Sequence, residues 1–287
     1  MFAALQALRQ HLTHAQGVLV TVQQVQGSGP REEGAWMAVF ADTTINTLGG
    51  GHLEYQAIAE ARALLSRQAS PALADAPSAA PHHADEVLVL RYPLGPALGQ
   101  CCGGVVHLRY DPIGPADLQD LLQRLRPQVQ PLALFGGGHV GHALIELLAR
   151  LPFDVAWFDS REGIFPQVLP MNVQAEHSHP VHAAVQHLPA GSAVLIMSFS
   201  HAEDLDIVAA CLKRIRLQDD LPFVGLIGSK TKWATFRHRL EARGFTAAEL
   251  DRITCPIGVA GIPGKAPEVV AIAVAAQLLQ ISPQPAK

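Results

Sequence analysis

Leu132-Ala133-Leu134-Phe135-Gly136-Gly137-Gly138-His139-Val140-Gly141 is the stretch that decides the fold. A short apolar run ends in G-x-G-x-x-G, and an amphipathic segment with Val140, Leu144, Leu147 and Leu151 on one stripe follows at once. Strand, glycine turn and helix in that order form the phosphate-binding start of a dinucleotide fold. Gly136 is needed for the tight turn, Gly138 so that backbone can approach a pyrophosphate, and Gly141 for close packing of helix on strand. His139 stands at the helix start, where unpaired N–H groups suit an anion. A second apolar strand, Val155–Phe158, ends at Asp159, eighteen residues after Gly141. An acid there is expected to bind a ribose hydroxyl pair, while Ser160 and Arg161 beside it leave open the choice between a free 2′-hydroxyl and a 2′-phosphate.

Outward from this fingerprint, strands and helices alternate to the end of the chain. Strands are expected near Met171–Ala175, Ala193–Met197 and Phe223–Ile227. Helical segments are expected near Val181–His187, Asp206–Arg216, Trp233–Arg243 and Pro267–Leu279. Alternation with wholly apolar strands predicts a doubly wound parallel sheet covered by helices on both faces. Upstream the rhythm differs. An amphipathic helix with Leu5, Leu8 and Leu12 is followed by strand-like runs at Gly17–Gln26, Ala35–Phe40, Thr44–Leu48, Val87–Tyr92 and Val105–Tyr110. Together they predict an α+β domain over 1–115, a proline-flanked connector over 116–130 and a Rossmann-like domain over 131–287. Gln68–Glu86, rich in Ala, Pro and Ser, is expected to be a surface excursion.

Three glycine-rich loops punctuate the first domain. Gly27-Ser28-Gly29-Pro30-Arg31 and Gly49-Gly50-Gly51-His52-Leu53-Glu54 each join turn-forming glycines to an Arg or a helix start, a combination that suits anions and equally suits tight turns. In the third, Gln100-Cys101-Cys102-Gly103-Gly104, the flanking glycines let a ligand approach the sulfurs. Thiolates bind soft metals or attack sulfur, and in an extended pair only one side chain reaches a given ligand. Cys211, on an apolar helix face, and Cys255, before Pro256, read as packing residues. His201 lies past the carboxyl end of the Ala193–Met197 strand, as an acid/base candidate or a histidine capping the next helix. His177, His179, His182 and His187 match no zinc spacing and are expected on a solvated face.

Composition narrows the function. In 287 residues, Lys+Arg 21 against Asp+Glu 25 gives a formal charge of −4, too little positive charge for a dedicated nucleic-acid binder. With 49% hydrophobic and 16% charged residues the chain is globular, and no apolar run is long enough for a membrane span. The N-terminus lacks the order of a secretion signal, and four cysteines are too few for a disulfide framework, so a cytoplasmic location is expected.

The motifs taken together resemble the XdhC/CoxI family of xanthine dehydrogenase accessory proteins. The resemblance lies in GSGPREEGAWM (Gly27–Met37), TLGGGHLE (Thr47–Glu54), LGPALGQCCGG (Leu94–Gly104), LALFGGGHVG (Leu132–Gly141), FDSR (Phe158–Arg161), SHAEDL (Ser200–Leu205), FVGLIGSK (Phe223–Lys230) and CPIGVAGIPGKAPE (Cys255–Glu268). It implies a non-catalytic chaperone that binds the molybdenum cofactor, as molybdopterin or its cytosine dinucleotide. The cofactor would be held while a cysteine desulfurase adds the sulfido ligand, and then inserted into the large subunit of a molybdenum hydroxylase. Cys101 or Cys102 would touch molybdenum or its sulfur. Gln100, Gly103, Ser28, Arg31, Gly50, Gly51, Glu54, Gly136, Gly138, His139, Gly141, Asp159, Arg161 and His201 would line the cofactor or its phosphates. Ser198-Phe199-Ser200 departs from the Thr and His expected there in many relatives. A homodimer is expected. The residues also leave open an NAD(P)-dependent oxidoreductase using His201, and a nucleotide-sensing module without chemistry.

Overall fold

In a computed structural model of the chain, the described residues are 2–69, 88–95 and 103–281, with the side chains of Gln68 and Ala69 left aside. The expected excursion over Gln68–Glu86 falls almost wholly outside them. So do Gln100, Cys101 and Cys102. The chain divides into two compact units, Ala3–Arg126 and Pro127–Lys287.

The first unit is an antiparallel sheet between helices. Its strands are β1 (Gly17–Gln26), β2 (Trp36–Val39), β3 (Thr44–Asn46), β4 (Leu88–Pro93) and β5 (Val105–Ile113), and its helices α1 (Phe2–Leu12), α2 (Gly51–Ala69) and α3 (Leu118–Arg124). The sheet runs β3-β2-β1-β5-β4. Alternation along β1 assigns its faces: Val18, Val20 and Val22 join Leu53, Ala57 and Ala61 of α2, whereas Leu19 joins Leu5, Leu8 and Leu12 of α1. Leu121 of α3 is buried in that second cluster, so the helix of the expected connector packs as part of the first unit. The β1–β5 register shifts between Val22 and Gln24. This bulge sits just before the Gly27 loop.

The second unit is a parallel six-stranded sheet, ordered β11-β10-β9-β6-β7-β8. The strands are β6 (Gln130–Phe135), β7 (Phe153–Asp159), β8 (Val173–His177), β9 (Ala193–Ile196), β10 (Phe223–Leu226) and β11 (Ile253–Thr254). The helices are α4 (His139–Leu148), α5 (His201–Gln218), α6 (Lys230–Glu241), α7 (Ala247–Leu250) and α8 (Pro267–Ile281). One core places Leu144, Ile145 and Leu148 of α4 with Ala271, Val274 and Leu278 of α8 on one face of the sheet. On the other face lie Leu205, Val208 and Leu212 of α5 and Phe236 and Leu240 of α6. β9 is buried along its whole length because both its faces are covered. The fold is α/β, with the doubly wound sheet in its C-terminal part as expected. Val181–His187 forms 3-10 turns instead of an α-helix. The chain moves outward from β6 to β7 and β8, then returns to β9, which places the topological switch point between β6 and β9.

Candidate functional site

The glycine loop after β6 is built as its spacing demands. Gly136 has φ +127°, and a Cβ there would lie 2.0 Å from the Met197 carbonyl oxygen. Gly141 passes so close to the strand that a Cβ would lie 2.2 Å from the Gly136 oxygen. Gly138 differs, because a Cβ there would meet nothing within 4 Å. It is the N-cap of α4, and no side chain caps that helix end. His139 follows it, exposed. The α5 and α6 N-termini, by contrast, are closed by Ser200 and Ser229, whose hydroxyls accept the Glu203 and Lys232 N–H groups. An open glycine beside uncapped N–H groups suits the approach of an anion.

Asp159 ends β7, but its carboxylate is already engaged. One oxygen accepts the Gly137 N–H at 2.6 Å, and the Arg161 guanidinium and N–H supply the other partners at 2.8–2.9 Å. The Asp159 side chain is fully buried. Burial alone would raise its pKa, but the Arg161 and backbone hydrogen bonds prevail and hold it below the ordinary value. Asp159 therefore ties the glycine loop to the loop that follows β7, where a ribose diol had been expected. Arg161 lies with its guanidinium carbon 4.7 Å from the centroid of the Phe199 ring, and Ser160 donates to Glu203 at 2.6 Å.

Behind Phe199, Ser198 donates through N–H and hydroxyl to buried Asp204, which pairs with Lys232 at 2.6 Å. Cys255 lies nearby, its sulfur 3.4 Å from where a Gly228 Cβ would stand. Burial, only partly opposed by Lys232, pushes its thiol pKa up, as befits a packing residue. Cys211 is fully buried and pushed up to about 12. His201 is exposed at the first turn of α5, with Ser200 doing the capping. Phe199 and Glu203 carry no signal in the sequence for the contacts they make. S-x-x-E at Ser200–Glu203 reads as a capping box, and only the fold sends that glutamate to Ser160 instead of back to the N-cap.

In the first unit the Gly27-Ser28 turn meets Gly104, and Pro30 beside it meets the triple-glycine loop. A Cβ on Gly104 would lie 2.5 Å from both the Gln26 and Ser28 carbonyl oxygens, so the backbone leading into β5 rests on the Gly27-Ser28 turn. Gly49, at φ +109°, faces Pro30, which a Cβ would approach to 2.8 Å. Arg31 donates to the Thr47 carbonyl at 3.2 Å and pairs with Glu32. One Glu54 oxygen accepts from the Thr47 hydroxyl, from Leu48 N–H at 2.8 Å and from Gly50 N–H at 3.1 Å. Glu54 thus shapes the triple-glycine loop from inside. Ser28, Gly51 and Gly103 are exposed and Gly50 is half-buried. Cβ atoms on Gly50 or Gly103 would meet nothing within 4 Å. Gly103 and Gly104 directly follow Cys101 and Cys102 in sequence. Among the described residues no group of three or more His, Cys, Asp or Glu could hold a metal ion. No described helix is long and apolar enough to cross a membrane.

A Rossmann-type unit with an open glycine loop, preceded by an antiparallel unit with glycine-rich turns, defines a two-unit protein of the dinucleotide-fold class. Residues 132–278, just over half of the chain, match the XdhC Rossmann domain, and residues 12–74 match the XdhC and CoxI family. The chain belongs to the XdhC and CoxI family. It is 28% identical over 258 residues to the uncharacterized protein YqeB of Escherichia coli K12, a match covering 89% of this chain and 42% of that protein. The chain thus spans about two fifths of the length of that relative. A crystal structure described as a xanthine dehydrogenase from Bacillus halodurans shares the fold, with a TM-score of 0.73 at 19% identity, over 98% of this chain and 95% of that one.

Proposed function

We propose that this protein is an accessory factor in the maturation of a xanthine dehydrogenase-type molybdenum hydroxylase. Its cargo is the molybdenum cofactor, held while a cysteine desulfurase supplies the sulfido ligand and then passed to the hydroxylase large subunit. The observation that carries this reading is membership of the XdhC and CoxI family, with matches on both compact units.

The residues fit such a cargo. Its phosphates suit the open Gly138 and the uncapped N-terminus of α4. Cys101 and Cys102 provide the soft sulfur ligands that molybdenum or its labile sulfur prefers. These residues bind and orient the cargo and catalyse no step. Release follows when the acceptor enzyme binds the cofactor more tightly than the carrier does.

The test is to purify the full chain from cells that make the cofactor, denature and oxidise it, and measure pterin fluorescence and molybdenum together. Equimolar pterin and molybdenum support the reading. Their absence from protein that nevertheless retains a nucleotide would replace it with a nucleotide-sensing module.

A further inference from the structure

β7 and β9 are not neighbours, because β6 lies between them, which sets the two about 10 Å apart at the usual strand spacing. Yet the loops leaving their carboxyl ends meet. From the β7 side, Ser160 reaches the Glu203 carboxylate and Arg161 lies over the Phe199 ring. Both contacts pass across the end of β6, where Gly136–Gly138 turns into α4. In a doubly wound fold a dinucleotide crosses the sheet at this switch point, its diphosphate on the glycine loop and its ribose at the end of the second strand.

The two arms are firmly rooted. Asp159 fixes Arg161 and Gly137 with one carboxylate, and Asp204 fixes Ser198 next to Phe199. The tips are not. Phe199 is 65% exposed, so its ring is no part of the core, and Arg161 keeps one-third of its side-chain surface in solvent. A stacked cation at such exposure is weakly held. Among the described residues the join between the arms rests on two contacts, the Ser160–Glu203 hydrogen bond and the exposed Arg161–Phe199 stack.

We infer that Ser160–Glu203 and Arg161–Phe199 form a clasp that closes the ribose side of a nucleotide-diphosphate crevice and must part before such a ligand can lie across the glycine loop. A bare diphosphate is small enough to reach the α4 N-terminus with the clasp shut. Parting the clasp clears the ribose side of the glycine loop and frees Glu203 as an acceptor for ribose hydroxyls. This rests on the proposed function only in taking the glycine loop as the seat of the cargo's phosphate.

The test is calorimetric titration of cargo-free, full-length protein with ADP-ribose and, separately, with inorganic pyrophosphate. Phe199→Ala and Ser160→Ala each remove one contact and leave the Asp159–Arg161 pair intact. Each single variant should bind ADP-ribose about threefold tighter than wild type and the double variant about tenfold or more, with pyrophosphate affinity unchanged. The inference is overturned if the variants bind ADP-ribose no tighter than wild type or not at all, or if pyrophosphate affinity rises in parallel. Should the double variant fail to fold, the single variants decide. Pterin and molybdenum content is a separate measurement, so loss of the carrier reading and loss of the clasp are told apart.

Discussion

Gly138 and Gly141 stand three residues apart in one motif, and the structure gives them opposite physical duties. Gly141→Ala places a Cβ 2.2 Å from the Gly136 carbonyl oxygen, about 1 Å inside ordinary contact, with backbone on the far side that cannot rotate away. Either α4 lifts from β6 or the glycine turn moves, at a cost of about 1–3 kcal/mol as for other overpacked sites. In a unit of this size that lowers the thermal midpoint by about 2–12 °C. Gly138→Ala meets nothing within 4 Å, and its φ of −80° is open to alanine. Its stability cost is that of a poorer N-cap, below about 1 kcal/mol. Its functional cost is larger, because the new methyl occupies the space through which a phosphate reaches the helix N-terminus. Differential scanning calorimetry with pyrophosphate titration separates the two. Gly141→Ala should lower the midpoint markedly, and Gly138→Ala should weaken phosphate binding at nearly wild-type stability. Equal midpoints, or unimpaired binding by Gly138→Ala, would refute this division of labour.

Glu54→Ala leaves the Leu48 and Gly50 N–H groups and the Thr47 hydroxyl without their shared acceptor, and should cost about 1–3 kcal/mol. Faster amide exchange confined to the loop from Thr47 to Gly51 checks it. Arg214 is buried, donating to the Val185 and Leu188 carbonyls and to both Asp220 oxygens. Arg214→Ala should cost about 3 kcal/mol in urea unfolding, and a change below about 1 kcal/mol would contradict that assignment. Asp159 has a folded-state pKa below its ordinary 3.8. The unfolded chain therefore binds a proton first, and the stability from the Asp159–Arg161 pair is present above about pH 4 and lost as pH falls through the folded value. Between pH 5 and pH 2 the midpoint of Asp159→Asn should fall less steeply than that of wild type.

Much of the fold is legible because its signals are local. G-x-G-x-x-G between an apolar strand and a 3.6-period stripe specifies β6 and α4, and the Val-rich alternation of Gly17–Gln26 gives β1 with its ends correct. β11 and α7, only 2 and 4 residues long, are too short for periodicity to register. Val181–His187 carries helical spacing, yet a proline at its N-cap and its short length leave it as 3-10 turns. The sites are less legible, because spacing says what a residue is beside and not what it bonds to. Asp159 stands where a ribose-binding acid belongs, but an arginine two residues later folds back onto it. Glu54 looks like a ligand-facing acid at a helix start and is instead turned into its own loop. Phe199 gives no sign in one dimension that it meets Arg161.

The proposed molybdenum-bearing pterin cargo is tested most directly by what leaves the protein on denaturation. Purified full-length protein should release pterin and molybdenum in equal amounts, and Cys101→Ala with Cys102→Ala should lower the molybdenum while leaving the thermal midpoint in place. Full retention of molybdenum by that double variant, or no pterin from wild type made in cofactor-replete cells, would contradict it.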